Sequence, residues 1–222
     1  MNEERGGGVP FLVMSFPQLG GVPVIGIIRG CPPARVVEVG RAGAEAGIGV
    51  LEVTFDSDEP GEQVERLREA LPDVVVGAGT ILEFDDLDEA ADRGAAFIVT
   101  PVVDEDLIGA SIERALPCVA GAASPTEVWD AYQWGAVAVK VFPAEQLGGP
   151  AYLRALQGPL GGIDLIPTGG VDAGNARAYL DAGAVALGVG STVFEREAME
   201  NGDVGAVWRK AVEIVTAARR SP

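Results

Sequence analysis

A lysine inside an apolar strand is the residue of this sequence best suited to covalent chemistry. The chain has 222 residues and only two lysines, Lys140 and Lys210. Lys140 stands in the run Ala136-Val137-Ala138-Val139-Lys140-Val141-Phe142-Pro143. Desolvation among Ala, Val and Phe disfavours the ammonium and favours the neutral amine, and a neutral amine attacks carbonyls to form a Schiff base. Glu52, in Val50-Leu51-Glu52-Val53-Thr54-Phe55, is the second charge set into a strand. Alternation puts Val50, Glu52 and Thr54 on one face of their strand and Ala138, Lys140 and Phe142 on one face of theirs. If both faces turn inward in a closed sheet, amine and carboxylate meet. The competing reading is a buried ion pair that only fixes the fold, although such pairs are not reliably stabilising.

Other polar residues follow apolar runs. Arg29 ends Pro23–Arg29, and an Arg there suits a carboxylate clamp or a surface ion pair with one of many acidic neighbours. Gly77-Ala78-Gly79-Thr80 lacks the Walker lysine and the GxGxxG spacing. It reads as small residues permitting close approach, with the Thr80 hydroxyl facing a substrate or serving a turn or helix cap. Thr168-Gly169-Gly170 and Gly190-Ser191-Thr192 combine glycine with hydroxyls, so their amides can approach an anion, or they are simply tight turns. Pro101 and Phe142 close two further runs.

The chain has no histidine. This excludes Ser-His-Asp and Cys-His machinery and removes the commonest zinc ligand. Acid and base work falls to carboxylates, Lys, Tyr or water. Cys31 and Cys118 form no CxxC pair and read as inert thiols in a reduced compartment.

The elements that must position these residues alternate regularly. Strand segments are expected at Pro23–Arg29, Val50–Phe55, Val74–Thr80, Ala96–Pro101, Pro117–Ala122, Ala136–Phe142, Leu165–Gly169 and Val185–Gly190. Amphipathic segments lie between them at Pro33–Ala46, Gly61–Ala70, Asp85–Arg93, Asp104–Arg114, Pro125–Trp134, Tyr152–Leu156 and Ala173–Asp181, with a closing helix over Val204–Arg219. The phrases Ala46-Gly47, Arg93-Gly94, Trp134-Gly135 and Ala182-Gly183 end helices just before strands, as glycine at the helix stop does. Eight such units predict an α/β fold, a single-domain (β/α)8 TIM barrel over residues 1–222 with an N-terminal extension of about 21 residues. A doubly wound open sheet is the alternative. In a barrel, chemistry sits at the C-terminal ends of the strands, and the loops after strands seven and eight commonly hold phosphate. The polar residues named above gather at those ends.

Apolar residues make up 48% of the chain and the formal charge is −17. That charge argues against nucleic acid and anionic membranes as partners. No apolar run is long enough for a membrane span, and Val9–Phe16 makes a poor signal peptide. The expected location is the cytoplasm. The piece Phe11–Phe16 suggests a subunit contact or a cap on the barrel floor, and of Trp129 and Trp134 one is expected in the core and the other against a neighbour.

Taken together the motifs resemble the 2-keto-3-deoxy-6-phosphogluconate aldolase family, with its 4-hydroxy-2-oxoglutarate and 2-keto-3-deoxy-6-phosphogalactonate relatives. The resemblance runs from about Val22 to Phe194. It rests on Pro23-Val24-Ile25, Leu51-Glu52-Val53-Thr54, Val76-Gly77-Ala78-Gly79-Thr80, Ile98-Val99-Thr100-Pro101, Ser124-Pro125-Thr126-Glu127, Val139-Lys140-Val141-Phe142-Pro143-Ala144 and Pro167-Thr168-Gly169-Gly170. It implies a class I aldolase with no metal and no cofactor, acting on a small phosphorylated 2-keto acid and assembled as a homotrimer. It implies Lys140 as the Schiff-base lysine and Glu52 as general acid/base. Arg29 and Thr80 would hold the pyruvyl carboxylate, Thr168, Gly169, Gly170, Gly190 and Ser191 would line the substrate and phosphate pocket, and Phe142 and Pro101 would wall it. One departure stands out: where many members carry an Arg four residues after the Glu, this chain has Asp56. Either Arg29 serves the carboxylate alone or the preferred substrate differs. Another phosphate-binding barrel, such as an epimerase or a thiamin-phosphate synthase-like protein, and a non-catalytic anion-binding barrel are the competing readings.

Overall fold

A computed structural model describes residues 22–219. The first strand, β1 (Val24–Ile28), is followed by a 3-10 turn at Pro33–Arg35 and helix α1 (Val36–Ala46). The alternation continues through β2 (Val50–Thr54), α2 (Pro60–Ala70), β3 (Val75–Gly79), α3 (Phe84–Asp92), β4 (Ile98–Val99) and α4 (Glu105–Glu113). Then come β5 (Cys118–Ala122), α5 (Pro125–Gln133), β6 (Ala138–Val141), α6 (Gly149–Gln157), β7 (Leu165–Pro167), α7 (Ala176–Asp181) and β8 (Leu187–Val189). Two helices, α8 (Arg196–Asn201) and α9 (Val204–Ala218), end the described chain.

The eight strands form one parallel sheet in the order β7-β6-β5-β4-β3-β2-β1-β8. Parallel bridges Leu165↔Ala184 and Thr168↔Gly188 join its two ends, so the sheet closes into a (β/α)8 barrel. The open-sheet alternative is thereby set aside. Strand alternation divides the apolar residues in two. Ile25, Val50, Phe97, Val99, Val119, Ala138, Ile166 and Ala186 fill the lumen. Ile28, Leu51, Val53, Val139 and Val141 face the helices in the larger outer core. Each fully buried Leu or Ile contributes roughly 1.5–3 kcal/mol. The recurrent glycines act as helix stops: Gly47 and Gly135 sit at φ 110° and 101° beyond α1 and α5, where a side chain would be strained.

All eight strands are shorter than the sequence reading, β8 keeping three residues of six, and four departures stand out. β4 keeps two residues of the six expected, because Pro101 has no N–H to extend the ladder and the Thr100 hydroxyl takes over, donating to Val102 O (2.6 Å) and accepting from Gly121 N (3.3 Å). α6 starts at Gly149 rather than Tyr152, since Pro150 is pre-set for a first helical turn. α7 begins at Ala176, three residues late, because Asp172 and Asn175 bond each other's backbone in a turn. α8 was not foreseen; its sequence is mostly polar, with Met199 its buried residue, and Gly202 ends it at φ 72°. The extension at residues 1–21, with Phe11–Phe16, lies outside the described residues. Trp134 packs against the outer core, whereas Trp129 is exposed and stands 5.9 Å from the Tyr132 ring. Both thiols are buried, and burial is the main cause that pushes each up to about 12.

Candidate active site

β2 and β6 stand four places apart in the sheet order and so face each other across the lumen. From β2, Glu52 projects inward, paired in register with Ile27 of β1 and Gly77 of β3. From β6, Lys140 projects inward between Gly121 of β5 and Ile166 of β7. Their side chains meet in the middle: Lys140 Nζ lies 3.9 Å from Glu52 Oε1. Lys140 is 4% exposed and Glu52 2%. The Phe142 ring adds a cation–π face, with its centroid 5.6 Å from Nζ.

Glycine makes this meeting sterically possible. A Cβ on Gly79 would sit 1.9 Å from Glu52 Oε1, so the carboxylate occupies the space that any larger residue would fill. Gly77 likewise leaves room for the Phe97 ring, 2.4 Å from its imaginary Cβ. The small residues of β3 thus admit interior side chains and not only a ligand. On the far wall, Gly188 gives way to Thr168, whose Oγ1 would stand 2.1 Å from a Cβ there.

Burial raises the Glu52 pKa above the usual carboxylate value of 4.5, and it outweighs the opposing pull of the Lys140 and Arg29 charges, while Asp56 adds a smaller push upward. Glu52 Oε1 makes no hydrogen bond among the described residues. A buried carboxylate that is weakly held by hydrogen bonds and raised in pKa is equipped to give and take protons above the ordinary carboxylate range.

Above the pair lies a cavity of about 370 Å³, open to solvent at the C-terminal ends of the strands. Every substrate-binding candidate from the sequence lines it: Arg29, Thr80, Pro101, Phe142, Thr168, Gly169, Gly170, Gly190 and Ser191, with Lys140 at its base. Glu52 lies beneath the lining. Thr192, from the Gly190-Ser191-Thr192 turn, and Gly188, at the end of β8, line the cavity too, as do Ile27 and Val171, which were not singled out. Alternation offered a signal for Ile27, which shares a face with Arg29.

Two polar constellations mark the mouth, one at the ends of β1, β2 and β3 and one at the ends of β7 and β8, which pairs with β1. At the first, the Arg29 guanidinium pairs through Nη1 with the Asp56 carboxylate and donates through Nη2 to Thr80 Oγ1 at 3.0 Å. Arg29 therefore does not stand alone. Thr80 adopts φ 59°, an outlier for a β-branched residue, and it does not cap α3, whose N-cap is Glu83. Strain of this kind costs on the order of 1–3 kcal/mol and gathers at binding sites. At the other, the amides of Gly170, Ser191 and Thr192 donate no hydrogen bond among the described residues. Asn175 Nδ2 donates to Gly170 O (2.7 Å) and Thr192 Oγ1 donates to Val171 O (2.8 Å), tying the two turns in place. Glu145 packs over Gly170 and brings one negative charge there. Among the described residues, no group of three or more His, Cys, Asp or Glu side chains is arranged to hold a metal ion.

A search of family models matches residues 18–210 to the KDPG and KHG aldolases. The chain belongs to that family. The match runs into α9, beyond the span of motifs from Val22 to Phe194. The aldolase is 32% identical over 197 residues to the KHG/KDPG aldolase of Escherichia coli K12, covering 89% of this chain and 92% of the relative. It superposes on a solved KDPGal structure with a TM-score of 0.85 at 29% identity, covering 93% and 98% of the two chains. A KDPG aldolase from Legionella pneumophila gives a TM-score of 0.82 at 28% identity over 88% and 95% of the chains, and in that protein pyruvate was captured as a covalent carbinolamine. The aldolase is thus a lyase of the TIM-barrel type. No helix among its described residues is long and apolar enough to cross a membrane.

Proposed function

We propose that this aldolase is a class I enzyme that cleaves a 2-keto-3-deoxy-6-phospho sugar acid of the phosphogluconate type into pyruvate and glyceraldehyde 3-phosphate. The observation that carries the reading is the buried Lys140–Glu52 pair, 3.9 Å apart, at the base of a cavity whose mouth offers a guanidinium and the free amides of Gly170, Ser191 and Thr192.

Lys140 Nζ attacks C2 of the keto acid, and the carbonyl oxygen takes up a proton to give a carbinolamine. Loss of water then gives the protonated imine. The 3.9 Å separation exceeds a direct hydrogen bond, so protons travel between Glu52 and the reacting atoms by way of water. Removal of the C4 hydroxyl proton breaks C3–C4, the bonding electrons pass into the imine, and the aldehyde leaves. The enamine that stays on Lys140 is protonated at C3, and hydrolysis releases pyruvate and the free amine. Arg29 and Thr80 hold the pyruvyl carboxylate. Thr168 meets the sugar chain, and Gly169, Gly170, Gly190 and Ser191 receive the phosphate through amides and a hydroxyl, in the manner of barrel phosphate sites. Pro101 and Phe142 wall the site, and no metal or cofactor takes part.

Two substrates remain as alternatives within this chemistry: 2-keto-3-deoxy-6-phosphogalactonate and unphosphorylated 4-hydroxy-2-oxoglutarate, the latter yielding pyruvate and glyoxylate. Asp56 favours keeping them open, because it removes a positive charge that many relatives place at the mouth. We further infer a cytoplasmic homotrimer, with the exposed Leu82, Phe84 and Val102 at neighbouring loop ends supplying an apolar face for subunit contact.

The test is reduction with borohydride in the presence of pyruvate. A reduced pyruvyl adduct on Lys140 and none on Lys210 is expected, with activity indifferent to EDTA. An unmodified Lys140 in an active preparation ends the covalent reading. Coupled assays with the three substrates rank them, and light scattering reports the subunit count.

A further inference from the structure

Asp56 sits in the loop between β2 and α2 and touches none of the atoms assigned to the reaction. Its carboxylate nevertheless holds Arg29, which ends β1, and Arg29 in turn holds Thr80, which ends β3. A second tie runs beside the first: Gly30 N donates to Ser57 Oγ at 2.9 Å, and Ser57 Oγ lies 3.1 Å from Thr54 Oγ1. Three adjacent strand ends are joined through one loop.

The ion pair does little for the fold. The Arg29 and Asp56 side chains are 51% and 45% exposed, and exposed pairs add almost nothing to stability. What the pair does is orient a long side chain. A free arginine samples many rotamers, and a ligand that captures it must order it; a partner that has already ordered it removes that cost from binding. The guanidinium has five N–H groups. Asp56 and Thr80 each engage one terminal nitrogen, which leaves further N–H donors for a ligand.

We propose that Asp56 is a positioning residue for substrate binding, fixing the Arg29 guanidinium beside Thr80 Oγ1 as a pre-set receptor for the carboxylate of the keto acid. This rests on the reading that Arg29 and Thr80 receive that carboxylate. A simple competitor role is the opposite case: a negative charge on Arg29 that the substrate must displace, whose removal tightens binding.

The experiment measures the pyruvate concentration that half-saturates borohydride trapping on Lys140, which needs no knowledge of the aldehyde partner. Asp56→Ala is expected to raise that concentration about tenfold with the maximal extent of trapping unchanged, as loss of pre-organisation does. Asp56→Asn, which keeps an acceptor for Arg29, recovers part of the loss. The melting temperature stays within about 3 °C, as for any exposed pair. Arg29→Met raises the half-saturating concentration, and adding Asp56→Ala to it changes nothing more. If Asp56→Ala leaves half-saturation unchanged or lowers it while Arg29→Met raises it, the positioning role is overturned and the clamp survives. If Arg29→Met has no effect either, the clamp reading itself is wrong.

Discussion

Lys140 Nζ and Glu52 Oε1 approach to 3.9 Å from strands on opposite walls of the barrel. Each is the one charged side chain of its strand, and each is almost fully buried. In the proposed mechanism the carboxylate is the acid/base group for the amine, and its protonation state decides how protons reach the bound carbonyl. Glu52→Gln keeps the shape and removes the proton. Turnover is expected to fall about a hundredfold or more, the contribution typical of a positioned acid/base group. Because burial raises the Glu52 pKa, the acid limb of the wild-type rate lies above 4.5. That limb should vanish in the variant. A pH–rate profile of both proteins measures this, and an unchanged limb would assign the proton transfer elsewhere.

The same burial has a cost in stability, and its sign follows from linkage. A group whose native pKa is raised binds its proton more tightly in the folded state. The stability it contributes is present in full below its unfolded value of 4.5 and is lost as pH rises through the native value. Above its raised native pKa the ionised Glu52 therefore destabilises the fold. Glu52→Gln has no such titration. Its melting temperature should exceed that of the wild type at pH 8, with the gap shrinking towards pH 4.5. Thermal melts across this range test the point, and a constant gap would mean that Lys140 cancels the burial of the carboxylate.

Much of this arrangement is legible in the sequence because strands alternate. The alternation sets Glu52 and Lys140 on inward faces and sends Val139 and Val141 to the helices, and the glycine phrases mark the joints between helices and strands. The meeting across the lumen is legible on the condition that the barrel closes, whereas the space above Gly79 that the carboxylate occupies is encoded in no local pattern. The Asp56–Arg29 contact escapes for a similar reason. It joins residues 27 positions apart through two loops, and in the sequence Asp56 reads only as a missing arginine. Short polar α8 fails for want of periodicity: six residues with a single buried side chain carry too little amphipathic signal.

Gly79 turns that steric point into a prediction. Its backbone is not in the left-handed region, so alanine fits the strand. The added Cβ, however, would fall 1.9 Å from Glu52 Oε1 and displace the carboxylate. Gly79→Ala is expected to lose about a hundredfold in kcat/KM, the scale of an ångström-sized misplacement, while its circular dichroism stays native. The double variant with Glu52→Gln should be no slower than Glu52→Gln alone. Additive losses would show that Gly79 matters for some reason other than room for Glu52.

Ser191 separates phosphate binding from Schiff-base chemistry. It follows β8, the strand paired with β1, beside the unpaired amides of Gly170 and Thr192. A phosphate received there gains one charge-assisted hydrogen bond from the hydroxyl, an interaction worth roughly 1.5–3 kcal/mol. Ser191→Ala should raise KM for a phosphorylated keto acid by about tenfold or more on that scale, and leave KM for 4-hydroxy-2-oxoglutarate unchanged. Pyruvate trapping on Lys140 should proceed as in the wild type, because pyruvate carries no phosphate. Equal losses for phosphorylated and unphosphorylated substrates would place Ser191 on the sugar chain and move the phosphate out of the glycine turns.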